Sequence, residues 1–242
     1  MTEDGFFGEH VAETYDDDPM AVPAMVDPVV DRLVELAGGG RALEFAIGTG
    51  RIALPLAARG VEVHGLELSR AMVARLRSKP GGAAIPVTIG DMASTRVVGS
   101  FRVVYLVYNT IMNLTTQAGQ VACFRNAAAH LEPGGMFLIE VMIPDLRMLP
   151  PGQRYVTFDV SEDHLGVDEY DTVTQSLWSH HVTRRGEGWE RSSGPFRYAW
   201  PAELDLMAEL AGLRLRDRWA GWRGEPFTDA SRSHVSVWEK PA

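Results

Sequence analysis

Between Arg41 and Ala53 the chain reads Arg-Ala-Leu-Glu-Phe-Ala-Ile-Gly-Thr-Gly-Arg-Ile-Ala, and no other stretch limits its fold so tightly. Ala42 to Ile47 is a short apolar run holding one carboxylate, Glu44, and it breaks into Gly48 and Gly50. Apolar residues resume at Ile52, Leu54, Leu56 and Ala57, a spacing compatible with a helix face. The simplest reading is a buried strand, a tight glycine turn and the start of a helix. Glycine lets the backbone approach a ligand because no Cβ stands in the way. The N–H groups of the helix's first turn then point at whatever binds there. The same residues also suit a tight strand–helix turn that binds nothing.

Two ligand classes use such a turn. Gly48-x-Gly50-x-x-Ala53 fits the dinucleotide fingerprint, with Glu67 lying 17 residues after Gly50 as the ribose acceptor. An NAD(P)-dependent oxidoreductase would use those residues. It leaves Glu44, Gly90-Asp91-Met92 and Glu132-Pro133-Gly134-Gly135 without a role, and the chain has no Tyr-x-x-x-Lys pair. Glu44-Phe45-Ala46-Ile47-Gly48-Thr49-Gly50 resembles instead the acidic-x-Gly-x-Gly-x-Gly motif of class I S-adenosylmethionine (SAM)-dependent methyltransferases, with Ala46 in place of the first glycine. Gly90-Asp91-Met92 resembles that family's adenine motif, and Leu131-Glu132-Pro133-Gly134-Gly135 resembles the stretch before its fifth strand.

The resemblance implies an α/β fold: a Rossmann-like, doubly wound sheet closed by a C-terminal antiparallel strand pair, here with an inserted antiparallel β layer. It implies an enzyme with SAM as cofactor, although a non-catalytic SAM-binding protein would share the motifs. Cofactor-binding residues carried over are Glu44, Ala46, Gly48, Thr49, Gly50 and Arg51 around the turn, then Glu67, Leu68, Asp91, Met92 and Tyr108. Glu67 would take both ribose hydroxyls on its two carboxylate oxygens. Its loss should then weaken SAM binding with little change in stability. Asp91 would accept from the adenine amine, and Met92 either packs on the adenine face or belongs to the core.

In chain order, residues 1–20 read as a loosely helical cover segment in which Asp16-Asp17-Asp18 is a solvated cap. Tyr15-Asp16 resembles the pair that opens the aminosugar N,N-dimethyltransferases, where the tyrosine faces cofactor and acceptor; packing alone is the other reading. A helix from Asp27, with Pro28 in its first turn, ends at Gly38-Gly39-Gly40. Residues 21–152 and 201–242 then form the SAM-binding domain. Residues 153–200 alternate polar and apolar, as antiparallel strands do, and form a substrate lid or dimerisation insert. Strands are expected at Tyr155–Val160, Asp171–Val182 and Trp189–Trp200.

Ligands of open parallel sheets sit beyond the carboxyl ends of the strands. That places Tyr15, Tyr108, Asn109, Asn113, Glu140 and the insert around an acceptor pocket with an aromatic and apolar lining, including Met112, Met142 and Trp178. Candidate catalytic residues are Tyr15, His181, Glu140 and Asn113. Glu140 is either such a group or a buried ion pair or strand-end carboxylate. His180 and His181 must point to opposite faces, and they lack partners at metal spacing, so no metal is expected.

Composition narrows the partners. A net charge of −9 argues against nucleic acid as the main partner, because phosphate binding needs a basic face. No apolar run approaches a membrane span, and the acidic Met1-Thr2-Glu3-Asp4 lacks a signal-peptide start. Cys123 is the only cysteine, which suits the cytoplasm and buried packing. A small-molecule acceptor is therefore expected. The insert's aromatic load, with Trp178, Trp189 and Trp200, suggests a homodimer, with a lid inside one subunit as the alternative.

Overall fold

A four-residue strand, β1 (Ala42–Phe45), is buried at every position and sits inside a seven-stranded sheet. The structure, a computed structural model, describes residues 7–17 and 23–242. Strands β2 (Val63–Glu67), β3 (Val87–Ile89), β4 (Phe101–Leu106) and β5 (Leu131–Met142) follow, and these five strands pair with one another in parallel. The near-continuous apolar runs of β1, β4 and the second half of β5 reflect burial on both faces.

Residues 155–197 then form a separate four-stranded antiparallel sheet. Its strands, in spatial order, are β6 (Tyr155–Val160), β7 (His164–Asp171), β8 (Ser176–Arg185) and β9 (Gly188–Arg197). The chain returns to the first sheet with β10 (Arg214–Trp219) and β11 (Ser233–Glu239), of which β11 lies antiparallel to both β10 and β5. The order β10-β11-β5-β4-β1-β2-β3 reverses direction between β1 and β4, where ligands of such sheets bind.

Short α1 (Glu9–Thr14) belongs to the cover. Helices α2 (Pro23–Ala37) and α3 (Ala53–Ala58) cover one face of the sheet, joined by Leu76 of α4 (Arg70–Ser78). Helices α5 (Gln117–His130) and α6 (Pro201–Leu210) cover the other. Ser69 caps α4 by accepting from Met72 N–H, and Thr116 caps α5 by accepting from Gly119 N–H. The expected α/β architecture, its closing strand pair and its antiparallel layer are all present.

Three local expectations fail. Helix α2 begins at Pro23 rather than Asp27, so Pro28 lies inside it. So near the helix start, the missing proline N–H forfeits one early hydrogen bond and the helix tolerates it. Strand β7 was unforeseen, because His164-Leu-Gly-Val-Asp-Glu-Tyr-Asp carries polar groups on both faces; pairing with β6 and β8 makes it a strand. Strand β8 starts at Ser176, because Asp171 accepts from Val173 N–H and Gln175 adopts a φ of 56°, which turns the chain first. The range 18–22, including Asp18, lies outside the described residues.

Candidate active site

The glycine turn is built from conformations that side chains resist. Ala46, Gly48 and Gly50 have φ of 53°, 57° and 81°. For Ala46 this left-handed backbone costs about 1–2 kcal/mol, which is why glycine suits that position better. A Cβ on Gly50 would overlap Leu76 of α4, so this glycine serves helix packing. A Cβ on Gly48 would meet nothing nearer than Ala46 O at 3.9 Å, so the turn stays open on that side.

Glu67 ends β2 beside this opening. Its Oε2 accepts from Gly48 N–H and its Oε1 from Ser69 N–H, each at 2.8 Å. One carboxylate thus ties the glycine turn to the start of α4. Leu68, next to it, is 46% exposed, and Asp91 at the end of β3 is exposed while accepting from Ala93 N–H at 2.7 Å. Met92 belongs to the buried core instead, with Asn126 Nδ2 donating to its carbonyl. An open turn, an acceptor carboxylate, an apolar flank and a second exposed carboxylate on one edge fit the ribose and adenine of a nucleoside. Leu68, rather than Met92, offers the exposed apolar surface.

Glu44 lies behind the turn, facing α2 and α3. It is 3% exposed and accepts from the Tyr105 hydroxyl at 2.9 Å, its cross-strand partner on β4. Burial pushes its carboxyl up to about 8, against that hydrogen bond and the nearby Arg51. Arg51 itself stacks over the Tyr108 ring at 4.3 Å. Glu44 therefore supports the turn from beneath.

The cover segment docks on the same turn. Thr49 Oγ1 donates to Asp16 Oδ1 at 2.6 Å, and Lys79 Nζ donates both to that oxygen and to Thr49 O at 2.8 Å. Burial works against the Asp16 carboxylate, but its bonds to Lys79 and Thr49 outweigh this and hold it below its usual range. Asp16 is thus a latch and no solvated cap. Ser69 Oγ donates to Phe7 O at 2.6 Å, and Phe7 meets Tyr15 edge-on at 6.2 Å. Tyr15 is half-buried in this cover.

Across the turn, Tyr108 and Asn109 follow β4 with φ of 59° and 61°. Glu140 on β5 holds that bend: its Oε2 accepts from Tyr108 N–H at 2.9 Å and its Oε1 from Trp222 Nε1 at 2.8 Å. Asn109 Oδ1 accepts from Met142 N–H at 2.7 Å, so it is a turn-holder. Both Glu140 oxygens thus help to hold this bend. Asn113 ends the 3₁₀ turn Thr110–Asn113, half-buried, and β9 packs against that turn.

The second sheet turns one face inward. Val156, Tyr170 and Leu177 share it and are buried with Ile111 and Met112 after β4, while Leu146 and Leu149 after β5 pack against them partly buried. His181 lies on this face, farther along β8; His180 lies on the other, as alternation requires, with its Nδ1 2.8 Å from Ser193 Oγ. Trp178 is on the outer face too, 44% exposed, and so leaves the expected pocket lining. A buried node anchors the sheet: Arg197 donates to Gln120 Oε1 at 2.6 Å and Glu203 Oε1 at 2.7 Å, and Gln120 Nε2 donates to Ile111 O at 3.2 Å. Among the described residues no His, Cys, Asp and Glu cluster suits a metal ion.

Sequence reasoning missed Tyr105, Lys79, Trp222 and Arg197. Only Tyr105 carried a signal, as a polar tip inside an apolar strand. The others act through partners remote in the chain.

Known proteins carry the same arrangement. A family model described as a methyltransferase domain matches residues 42–135, the segment from β1 into β5. Cypemycin N-terminal methyltransferase from a Streptomyces species is 25% identical over 99% of this chain and 100% of its own length. The solved structure of the CcbJ methyltransferase from Streptomyces caelestis is 34% identical, covers 99% of both chains and superposes with a TM-score of 0.87. SAM-bound CalS10, an amino pentose methyltransferase from Micromonospora echinaspora, shares the fold at 23% identity, 90% coverage of each chain and a TM-score of 0.67. The NAD-linked reading falls with these matches, because they account for the motifs it left idle. With its glycine turn, its strand order and a relative this similar over the whole chain, the protein belongs to the class I SAM-dependent methyltransferases.

Proposed function

We propose that the protein transfers the methyl group of SAM to an amine nitrogen of a small molecule. Gly48, Glu67, Leu68 and Asp91 would hold the nucleoside, with Glu44 and Arg51 supporting the turn from below. When bound, SAM supplies an electrophilic methyl carbon on a sulfonium. The protein's part is to hold the acceptor in line and to exclude water, which can contribute several kcal/mol. The acceptor lies between the cover with Tyr15, the bend at Tyr108–Asn113 and the inner face of the second sheet.

One observation carries the amine reading. Asp168 and Asp145 stand together where β7 meets the loop after β5, next to the Tyr170 hydroxyl. Asp145 is already paired with Arg232 at 2.7 Å, so the Asp168 carboxylate is the group there that would attract a cationic amine and repel an acidic substrate. The named chemistry of the cypemycin and amino pentose enzymes, methylation at an N-terminus and of an amino sugar, agrees. Offering SAM with panels of amines, phenols and indoles, and weighing the products by mass spectrometry, tests this. Methylation of phenols or indoles but no amine would overturn it. Given turnover, Tyr15→Phe should cost tenfold or more if its hydroxyl orients the acceptor, about the range of one such group.

The outer face of the second sheet exposes Tyr155, Val160, Leu165, Trp178 and Trp189, with exposures between 40% and 76%. Such a face supports a homodimer joined through this sheet, and light scattering giving a monomer mass at micromolar concentration would reject it. No helix among the described residues is long and apolar enough to cross a membrane. With the acidic net charge and single buried cysteine, a cytoplasmic enzyme free of nucleic acid remains the favoured setting.

A further inference from the structure

The inner face of the second sheet carries a row of hydrogen bonds that the assignments above leave unused. Asp159 Oδ2 lies 2.5 Å from His164 Nδ1, His164 Nε2 lies 2.9 Å from His181 Nδ1, and His181 Nε2 lies 3.1 Å from Ser179 Oγ. Ser179 is the cross-strand partner of Asp168 on this face, and its hydroxyl acts on the Asp168 carboxylate as a hydrogen-bond donor. Register explains the alignment: Gly166 pairs with both Asp159 and His181, and Asp168 pairs with Ser179. Gly166 has no side chain, and the Phe158 ring occupies the vacated space against both histidines, at 6.2 Å from His164 and 5.4 Å from His181. The row thus runs beneath an apolar cover. One end, Asp168, stands beside Asp145 and Tyr170. The other, Asp159, is on the edge strand β6 with its side chain 42% exposed.

Counting protons gives the row its character. Four hydrogen bonds need four protons. With both carboxylates ionised and both imidazoles neutral, Ser179, His181 and His164 bring one each. The fourth is an extra proton, and two complete arrangements hold it. In the first, Asp168 carries it and donates to Ser179 Oγ. Ser179 then donates to His181 Nε2, His181 Nδ1–H to His164 Nε2, and His164 Nδ1–H to Asp159. In the second, each proton has moved one step, Asp159 carries the extra one, and all four donations run the other way. Passing from one to the other moves a proton from the pocket side to the solvent edge and leaves both imidazoles neutral.

We propose that Asp168, Ser179, His181, His164 and Asp159 form a proton wire that drains the acceptor site; this rests on the amine reading above. An amine reaches the site near neutral pH as an ammonium, which has no lone pair to attack with. It gives one N–H proton to the Asp168 carboxylate. The freed lone pair forms the new N–C bond while the S–CH3 bond breaks with its pair left on sulfur. The proton on Asp168 leaves through the row to water at Asp159; reorientation of the two neutral imidazoles and the Ser179 hydroxyl then restores the first direction of donation, and Asp168 is ready again. Asp168 is the group that touches the acceptor, and the other four act through it.

The surrounding charges favour this work. Burial, then His164 and His180, hold His181 below the ordinary imidazole range, so it stays neutral and can both donate and accept. Burial also holds the Asp168 carboxyl above its ordinary range, with Asp145 adding to this and Ser179 and His180 opposing, which makes it a stronger base. Strand β9 offers Ser192 opposite His181 and, one inner-face pair farther on, Glu190, which faces Arg185 at 3.6 Å.

The full chain labelled with 15N in histidine tests the wire without any acceptor. Long-range 1H–15N spectra report which ring nitrogens of His164 and His181 carry protons. Between about pH 5 and 9 the two rings should respond together with one shared midpoint, as coupled groups do. Asp168→Asn should move the His164 response by about one pH unit or more, although Ser179 and His181 lie between them. Ser179→Ala, a small change on a half-buried position, should abolish that coupling. Independent titrations, or a His164 response indifferent to Asp168→Asn, would overturn the wire and leave a polar zipper within the sheet. Steady-state rates with the fastest amine of the panel add the catalytic arm: His164→Gln should lower kcat about tenfold with SAM affinity unchanged. A coupled row in an enzyme that methylates no amine would retain the wire's proton path and reject the amine acceptor.

Discussion

Replacing Glu67 with alanine should cost the fold as well as the cofactor. From sequence alone the loss reads as affinity only, because the carboxylate is assigned to the ribose. In the structure it also accepts from two backbone N–H groups. A hydrogen bond to a charged group is worth about 1.5–3 kcal/mol, and a buried donor left unpaired loses its full share. Ser69 is fully buried and would lose that whole amount, whereas Gly48 is half-buried and water can replace part of its bond. The sum is about 2–4 kcal/mol. In a chain of 242 residues each kcal/mol shifts Tm by about 2–4 °C, so the variant should melt about 5–15 °C lower. Thermal melts with and without SAM read both effects. At one hundred times Kd a ligand adds about 2.7 kcal/mol, and this gain should shrink as the ribose acceptor is lost. Glu67→Gln keeps one acceptor oxygen and should fall between. An alanine variant melting within about 2 °C of the parent would refute the claim that this carboxylate holds the turn.

Arg197→Met should lower stability by about 3–5 kcal/mol, since it strands Glu203 and unties Gln120; a urea titration measures it, and unchanged SAM binding heat would show the damage stays in the second sheet. Glu44, raised to about 8 by burial, holds its proton more tightly folded than unfolded. Its stabilisation is full below about pH 4.5 and is lost as pH climbs toward 8. Glu44→Gln should therefore gain on the parent between urea midpoints at pH 5 and pH 8, and a constant difference would contradict the burial argument. Burial pushes the Cys123 thiol well above its usual range, so native protein should resist a disulfide reagent and denatured protein should release one equivalent.

The strand, glycine turn and helix of the candidate cofactor edge were legible because their determinants are local. Strand, turn and helix lie within a dozen residues, and glycine at Gly48 and Gly50 records the backbone directly. Glu67 and Asp91 were placed by the same logic, and they stand at the end of β2 and just after β3. The acceptor half was not, and particular residues show why. Glu140 looked like a base because a carboxylate in an apolar strand is odd. Its real partners are a backbone N–H after β4 and an indole 82 residues along the chain, which no local pattern announces. Asp16 looked solvated because three aspartates in a row are usually so; the lysine that receives it comes 63 residues later. His181 was placed on one face correctly, but its chain of partners needed β7, a strand whose polar residues hid it. Trp178 was assigned inward, and only the true start of β8 shows that it points out.

The bond between Glu140 and Trp222, with β11 lying along β5, also sets an order of events during synthesis. Strands β1 to β4 can pair as soon as they emerge, and with them the nucleoside edge. Strand β5 stays an open edge until Ser233–Glu239 arrive, and Tyr108 keeps a loose bend until the indole reaches its clamp. Open edges of apolar strands are where chains stick to one another. A nascent chain stalled before β11 would therefore hold a nearly finished cofactor half beside an unguarded edge. Polypeptides of this kind ending near residue 230 should aggregate, while the same residues released with the last strand attached should not.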